Sequence, residues 1–354
     1  MKPFSTTDAL APPFGGPVGR HRGPGARPGW TLPSAAPLTV DAAHELALRS
    51  CDELVVRHSS GTLAAIVREH LDGGGKRLRS RLALECAASI GLDPRAAVPV
   101  AVACELLHNA TLIHDDLQDG DAVRRGRPTV WSLHGSAQAI NAGDLLLILP
   151  TLALLELSTS STRAQLCAVL ARRAAATACG QADELSMLER GALEWSAYSA
   201  AAVGKTGQIL AIPFESAAVL AGLDAETARL VGDLAARLGL AYQIADDVLD
   251  LYGDKGRGAV GNDLREGKVS ALVALHLERV PADREALVAV LRAPRDAIDA
   301  ETIATWAGRF EASGARADAV ARARGACASI RLPEAARALE PMVRGLAGKF
   351  LAGV

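Results

Sequence analysis

AVPVAVACELLHNATLIHDDLQD, residues 97–119, repeats its apolar positions at helical spacing and closes on Asp115, Asp116 and Asp119. A second stretch ends the same way, with Asp246-Asp247-Val248-Leu249-Asp250 after an apolar run. On a helix the first and last aspartates of each cluster lie four apart on one face, with the middle one beside them. Carboxylates held that close repel one another, so the arrangement is tolerable only with cations present. Oxygen donors without His or Cys suit a hard metal, Mg²⁺ above all, which bridges to phosphate oxygens. A lone cluster of this kind is more often a solvated helix end. Here each cluster sits just before a glycine, Gly120 or Gly253, at the helix end whose macrodipole disfavours acids. A chain selected only for stability would not place acids there twice. The pair predicts a diphosphate held between two acidic helix walls by shared Mg²⁺.

Outward from these stretches, residues 40–354 read as successive helices with short breaks, and no segment shows a strong period-two pattern. Thr39 or Asp41 can cap a first helix through 58. Gly73-Gly74-Gly75 is a break, Pro94 and Pro99 flank the start of the quoted segment, and Gly120, Gly126 and Pro128 mark a loop. Helices follow over 136–157, 162–190, 194–221 and 225–252, and in three pieces from 270 onward. The chain is rich in Ala, Leu, Arg and Glu and only 3% aromatic, which favours helices over sheets. The expected fold is all-α, a single-domain helix bundle, which can build a site in its core from facing helices.

Residues 1–39 hold eight of the 17 prolines, many glycines and almost no acid. Such a segment buries too little apolar surface to offset its ordering entropy, so a disordered tail is expected; Asp8 and the Pro/Gly density fit a targeting peptide poorly. The net charge of −2 gives no reason to expect nucleic acid or an anionic membrane as partner. The six cysteines are scattered, without zinc spacing, and read as small core residues in a reducing compartment. The run Leu145–Leu155 is too short to span a bilayer and contains Pro150, so no transmembrane segment is expected and the localisation is read as cytoplasmic.

Cationic segments accompany the acidic ones: Gly74-Gly75-Lys76-Arg77-Leu78-Arg79, Arg124-Arg125-Gly126, Lys205-Thr206-Gly207 and Gly267-Lys268. Glycine lets a backbone approach an anion and the cations neutralise it. Singly, each is a common surface feature; beside two metal-type clusters, they favour an anionic substrate.

With these motifs in this order, together with His108 ahead of Asp115, Gly180-Gln181-Ala182-Asp183-Glu184-Leu185 and Gln243-Ile244-Ala245, the chain resembles the trans-isoprenyl diphosphate synthases of the polyprenyl synthetase family over roughly residues 45–350. The resemblance implies a bundle around a deep central cavity, a homodimer, and head-to-tail condensation of an allylic diphosphate with isopentenyl diphosphate. It implies that Asp115, Asp116, Asp119, Asp246, and to a varying degree Asp247 and Asp250, hold three Mg²⁺ on the allylic diphosphate, supplemented by Arg124, Lys205 and Lys268. Lys76, Arg79, His108 and Arg125 would hold isopentenyl diphosphate. Gln181 and Glu184 would support the ligands from behind, and Thr206 and Gln243 would line the path of the carbocation. His114 reads as a supporting residue. No side chain is an obvious general base, and the departing diphosphate is expected to take the proton.

Thr111 and Ala110 lie four and five residues before Asp115, roughly 5–8 Å deeper along the helix, and would floor the hydrophobic tunnel. Both are small, so a product longer than farnesyl is expected, geranylgeranyl diphosphate first and a longer polyprenyl chain second; Ala110→Phe should shorten it. Three positions depart from the family pattern: Ser80 replaces a common proline, Gly258-Ala259 stands where a lysine is usual (with Lys255 or Arg257 as substitutes), and Ser270-Ala271-Leu272 follows Lys268 where Thr-Leu-Pro is common. A class I terpene cyclase would lack the Lys76/Arg79 pair and carry an Asn/Ser/Glu second metal motif. A non-catalytic modulating subunit would lack aspartates from one cluster, and all six are present.

Overall fold

Apolar residues at helical spacing are buried by packing helix on helix, and the computed structural model of the chain is built that way. It describes residues 36–253 and 260–354. The tail 1–39 lies, up to residue 35, outside the described residues, as do Lys255, Arg257, Gly258 and Ala259.

The helices are α1 (Val40–His58), α2 (Gly61–Asp72), α3 (Leu78–Ser89), α4 (Val98–Gln118), α5 (Val130–His134), α6 (Ser136–Leu155), α7 (Ser160–Arg190), α8 (Trp195–Ala202), α9 (Gln208–Leu220) and α10 (Ala225–Tyr252). They continue as α11 (Asn262–Arg265), α12 (Ala271–Arg279), α13 (Arg284–Leu291), α14 (Ala300–Ala312), α15 (Ala315–Ala328) and α16 (Glu340–Leu351). Side-chain caps start several of them: Thr39 accepts from Ala42 N at 3.2 Å, Asp224 from Thr227 N at 2.9 Å and Asp299 from Thr302 N at 2.7 Å. The region expected in three pieces after residue 270 divides into five helices. Pro281, Pro294 and Pro333 open new segments there, and Gly314 turns the chain in the left-handed region with φ 77°.

The expected loop after α4 contains a minimal hairpin, β1 (Val123–Arg124) paired antiparallel with β2 (Arg127–Pro128). Arg125 and Gly126 between them both have positive φ, 54° and 75°, the signature of a turn that matches strand twist.

One apolar cluster joins α1–α4, α6, α9, the first half of α10 and α16; a second joins α8, the second half of α10 and α12–α15. The long α10 runs through both. α4 and α6 are in fact long and apolar enough to cross a membrane by length and composition. α4 is nonetheless mostly buried in the bundle, whereas α6 leaves Ile140, Leu147, Ile148 and Leu155 exposed.

Candidate active site

The end of α4 has two working faces. Thr111, Asp115 and Asp119 follow one another at four-residue spacing, and all three are partly exposed. Asp116 is turned away: it is 2% exposed and accepts a hydrogen bond from Arg124 Nε at 2.5 Å. Asp115 and Asp119 thus share one face, as their four-residue spacing predicts, while Asp116, about 100° round the helix, turns to Arg124. The hairpin sends its arginines opposite ways. Arg124 points back to Asp116, and Arg125 donates to Gly74 O at 2.5 Å. The Arg125 guanidinium lies against Gly75, where any Cβ would stand 2.3 Å from its Nη1. Gly75 also has φ 134°, a backbone conformation that favours glycine.

Burial pushes the Asp115 carboxyl above its usual range; Lys205 opposes this, while Asp119 and Glu184 add to it. Burial likewise raises Asp116 to about 6 against the pull of Arg124. Asp119 meets Lys268 Nζ at 2.9 Å, so the segment following the second cluster closes onto the first. Lys268 also meets Glu266 at 2.9 Å, Glu266 meets Arg295 at 3.1 Å, and Arg295 reaches Asp121 at 3.5 Å. Burial lowers the Lys268 pKa, but Asp119 and Glu266 outweigh it and hold the lysine charged.

Lys205, Thr206 and Gly207 lie in a π-helical turn, Val203–Gly207, between α8 and α9. Such turns re-aim side chains and recur at functional sites. This one is pressed against α7, since a Cβ on Gly180 would stand 2.2 Å from Lys205 N. Lys205 Nζ meets Glu184 at 2.9 Å. Gln181 donates to Gln118 at 2.7 Å, while its own Oε1 is buried with no partner. Thr206 donates to Gln243 Oε1 at 3.1 Å, and Gln243 Nε2 donates to Asp247 at 3.0 Å.

In the second cluster Asp246 is partly exposed, whereas Asp247 is 3% exposed and accepts from Tyr198 OH and Ala271 N, each at 2.7 Å. Burial raises its pKa to about 7 against those hydrogen bonds. Asp250 accepts from Asp263 N at 3.1 Å. The middle acid again secures the scaffold, here the start of α12, where Ser270-Ala271 stands.

Arg79 Nη1 donates to His108 Nε2 at 2.9 Å, which leaves the imidazole proton on Nδ1. Burial, ahead of the nearby arginines, pushes the His108 pKa well down and keeps the ring neutral. Arg79 Nε and His108 Nδ1 are both buried without partners, and no carboxylate of the described residues pairs with Arg79. A partly buried guanidinium without an acid favours an anionic ligand. Lys76 is exposed beside it.

Among the described residues no three acid, histidine or cysteine side chains converge on one point ready to hold a metal. The oxygen-only donor set of the two clusters nevertheless fits a hard cation. Asp115 carries a charge that its surroundings disfavour, and the orphaned Gln181 Oε1 is an acceptor suited to a metal-bound water. Of the residues singled out from sequence, the structure brings Asp115, Asp119, Glu184, Lys205 and Lys268 together, and separately Arg79 with His108 and Arg125 with the glycine loop. Ala110 is fully buried and shares a face with His114, whose ring packs on Gly143 of α6; only Thr111 of the tunnel pair is open. Sequence reasoning missed Tyr198, Glu266 and Arg295. Glu266 was visible as an acid beside Gly267-Lys268; Tyr198 and Arg295 lie far from either cluster in sequence and carry no signal of their own.

The sequence profile of the polyprenyl synthetase family matches residues 60–305. A short chain isoprenyl diphosphate synthase of Methanothermobacter thermautotrophicus is 35% identical over 240 residues, covering 66% of this chain and 74% of that protein. Other relatives are named farnesyl and geranylgeranyl diphosphate synthases. The fold matches a polyprenyl synthetase of Streptomyces coelicolor with TM-score 0.76 at 30% identity, covering 88% of this chain and 98% of that one. It also matches a Caulobacter crescentus polyprenyl synthase, complexed with calcium and isoprenyl diphosphate, with TM-score 0.69 at 27% identity, covering 89% and 99%. The chain thus belongs to the polyprenyl synthetase family and is a prenyltransferase, an isoprenyl diphosphate synthase.

Proposed function

We propose that the chain condenses an allylic diphosphate with isopentenyl diphosphate head to tail and releases geranylgeranyl diphosphate. The observation that carries this reading is the Lys268–Asp119 contact at 2.9 Å, which brings the segment after the second acidic cluster onto the first. Asp115, Asp119 and Asp246, the partly exposed residues of the two clusters, would hold three Mg²⁺. Asp116, Asp247 and Asp250 stand one step back and fix Arg124, Ala271 and Asp263. Bound there, Mg²⁺ supplies the Lewis acidity that stabilises charge developing on the leaving diphosphate. Arg124, Lys205 and Lys268 add fixed positive charge to the same group, and because they are already positioned, no reorganisation is needed as the bond breaks.

Lys76, Arg79, His108 and Arg125 hold the diphosphate of the second substrate, and the unpaired Arg79 supports that role. Gln181 and Glu184 steady the cation side of the cleft from α7. Thr206 and Gln243 line the path of the allylic cation, and the hydrogen bond from Thr206 to Gln243 fixes their orientation there. The departing diphosphate takes the proton released on chain extension.

Thr111 lies one turn below Asp115 and is small, which supports a product longer than farnesyl. The test is to supply Mg²⁺, dimethylallyl diphosphate and isopentenyl diphosphate, then size the dephosphorylated alcohols. A C20 alcohol supports the reading; a farnesyl end point contradicts the length and keeps the reaction.

The reading includes a homodimer, supported by the exposed apolar stripe Ile140, Leu147, Ile148 and Leu155 on α6. It also places the enzyme in the cytoplasm, in keeping with substrates whose diphosphates are soluble in water. Recovery in the membrane fraction after cell lysis would contradict that placement.

A further inference from the structure

The loop that carries Lys76 is built around a backbone that its sequence does not favour. Arg77 has φ 45° and ψ 36°, in the left-handed region where a side chain is unwelcome. Something must hold it there, and the structure shows what. Arg77 Nη1 donates to Glu105 Oε1 at 2.7 Å, and its other terminal nitrogen donates to Leu71 O at the end of α2. Glu105, 2% exposed on α4, also accepts from Ser80 Oγ at 2.8 Å and from Asn109 Nδ2 at 3.0 Å. Ser80 in turn lies 3.1 Å from His44 Nε2 on α1 and 3.0 Å from Arg77 O. One carboxylate thus ties together both ends of the glycine loop and the first turn of α3. Lys76 and Arg79 lie on either side of the clamped residue, and His108 sits one turn beyond Glu105 on the same helix. Ser80 is part of the clamp: its hydroxyl can donate to Glu105 while accepting from His44.

We propose that Glu105, assisted by Ser80, is a positioning residue for isopentenyl diphosphate: it clamps Arg77 and so sets where Lys76 and Arg79 stand. This rests on the reading of Lys76 and Arg79 given above. Glu105 does not touch substrate. Its removal should therefore weaken use of one co-substrate and spare the other, which a general loss of stability would not do.

The experiment measures initial rates with each diphosphate varied in turn at saturating Mg²⁺, alongside melting temperature, for Ser80→Ala, Glu105→Gln, the double variant Arg77→Met/Glu105→Gln, and Arg79→Gln. Glu105→Gln leaves the partly buried Arg77 without its acid and is the variant most prone to misfold; the double variant removes both charges and avoids that. In the double variant KM for isopentenyl diphosphate should rise about tenfold or more while KM for the allylic diphosphate stays within about twofold, with a smaller shift of the same kind in Ser80→Ala. If the folded double variant keeps KM for isopentenyl diphosphate within about twofold, or both KM values rise together, the positioning role is overturned. Arg79→Gln separates the two levels. A raised KM there beside an unchanged double variant overturns the clamp alone. An unchanged KM in Arg79→Gln overturns the site assignment, and the clamp with it.

Discussion

His70 lies at the end of α2, and burial pulls its pKa from 6.5 down to about 4 against a hydrogen bond to Asn109 that favours the charged ring. The unfolded chain takes up that proton near the ordinary value, and the folded chain takes it up only near 4. Between those limits the unfolded state binds more protons, so this residue's contribution to stability falls as pH drops from about 6.5 to about 4. His70→Gln should remove that slope. The melting-temperature difference between variant and wild type should shift in the variant's favour through this window, and a constant difference would contradict the assignment. Thr111 gives a second prediction at this scale. It is open where Ala110 is sealed, so Thr111→Phe should shorten the product, whereas Ala110→Phe should cost stability by overpacking, about 1–3 kcal/mol. Sizing the alcohols and measuring urea unfolding for both variants checks the pair. At the residue scale the sequence singled out the six acids but not their different surroundings. Asp116 and Asp247 look identical to their neighbours until Arg124, Tyr198 and Ala271 are seen to engage them.

Among the elements, α4 does most to build the site. One of its faces presents Thr111, Asp115 and Asp119 to the cleft, and another uses Glu105 and Asp116 to hold Arg77 and Arg124. Its extent, Val98–Gln118, was legible from apolar spacing and flanking prolines, as were α6, α7 and α10 to within a few residues. The π turn at Val203–Gly207 was not, since the expected helix ran continuously over 194–221. Nothing local in Val-Gly-Lys-Thr-Gly demands an extra residue in the turn. It accompanies the close approach of α7 at Gly180 and of α10, where a Cβ on Gly239 would stand 2.3 Å from Gly207 Cα. Gly180→Ala should push α7 off Lys205. We expect a stability loss of about 1–3 kcal/mol together with a fall in kcat, since Lys205 is displaced. Denaturant unfolding and steady-state rates measure the two effects; unchanged values for both would mean that the close packing does not set the position of Lys205.

At the level of the whole molecule, the exposed apolar stripe on α6 is a feature that a single copy of the chain leaves unexplained. If the proposed dimer forms through it, Ile148→Asp with Leu147→Asp should give a monomer in sedimentation velocity where the wild type gives a dimer, because a carboxylate buried in such an interface has no partner. A wild-type monomer would refute the dimer directly. The all-α architecture was legible because composition, helical period and the lack of alternating segments agreed. Where the C-terminal region divided was less legible, since several weak breakers compete there. The account as a whole stands on the two acidic clusters acting together through Mg²⁺ on one diphosphate. The most direct test is isopentenyl diphosphate incorporation by the purified full chain, with Mg²⁺ and with EDTA, for wild type, Asp115→Ala and Asp246→Ala at verified folding. The account predicts incorporation by the wild type with Mg²⁺ alone, and its loss in EDTA and in each variant; incorporation that persists in EDTA, or in both variants, would contradict it.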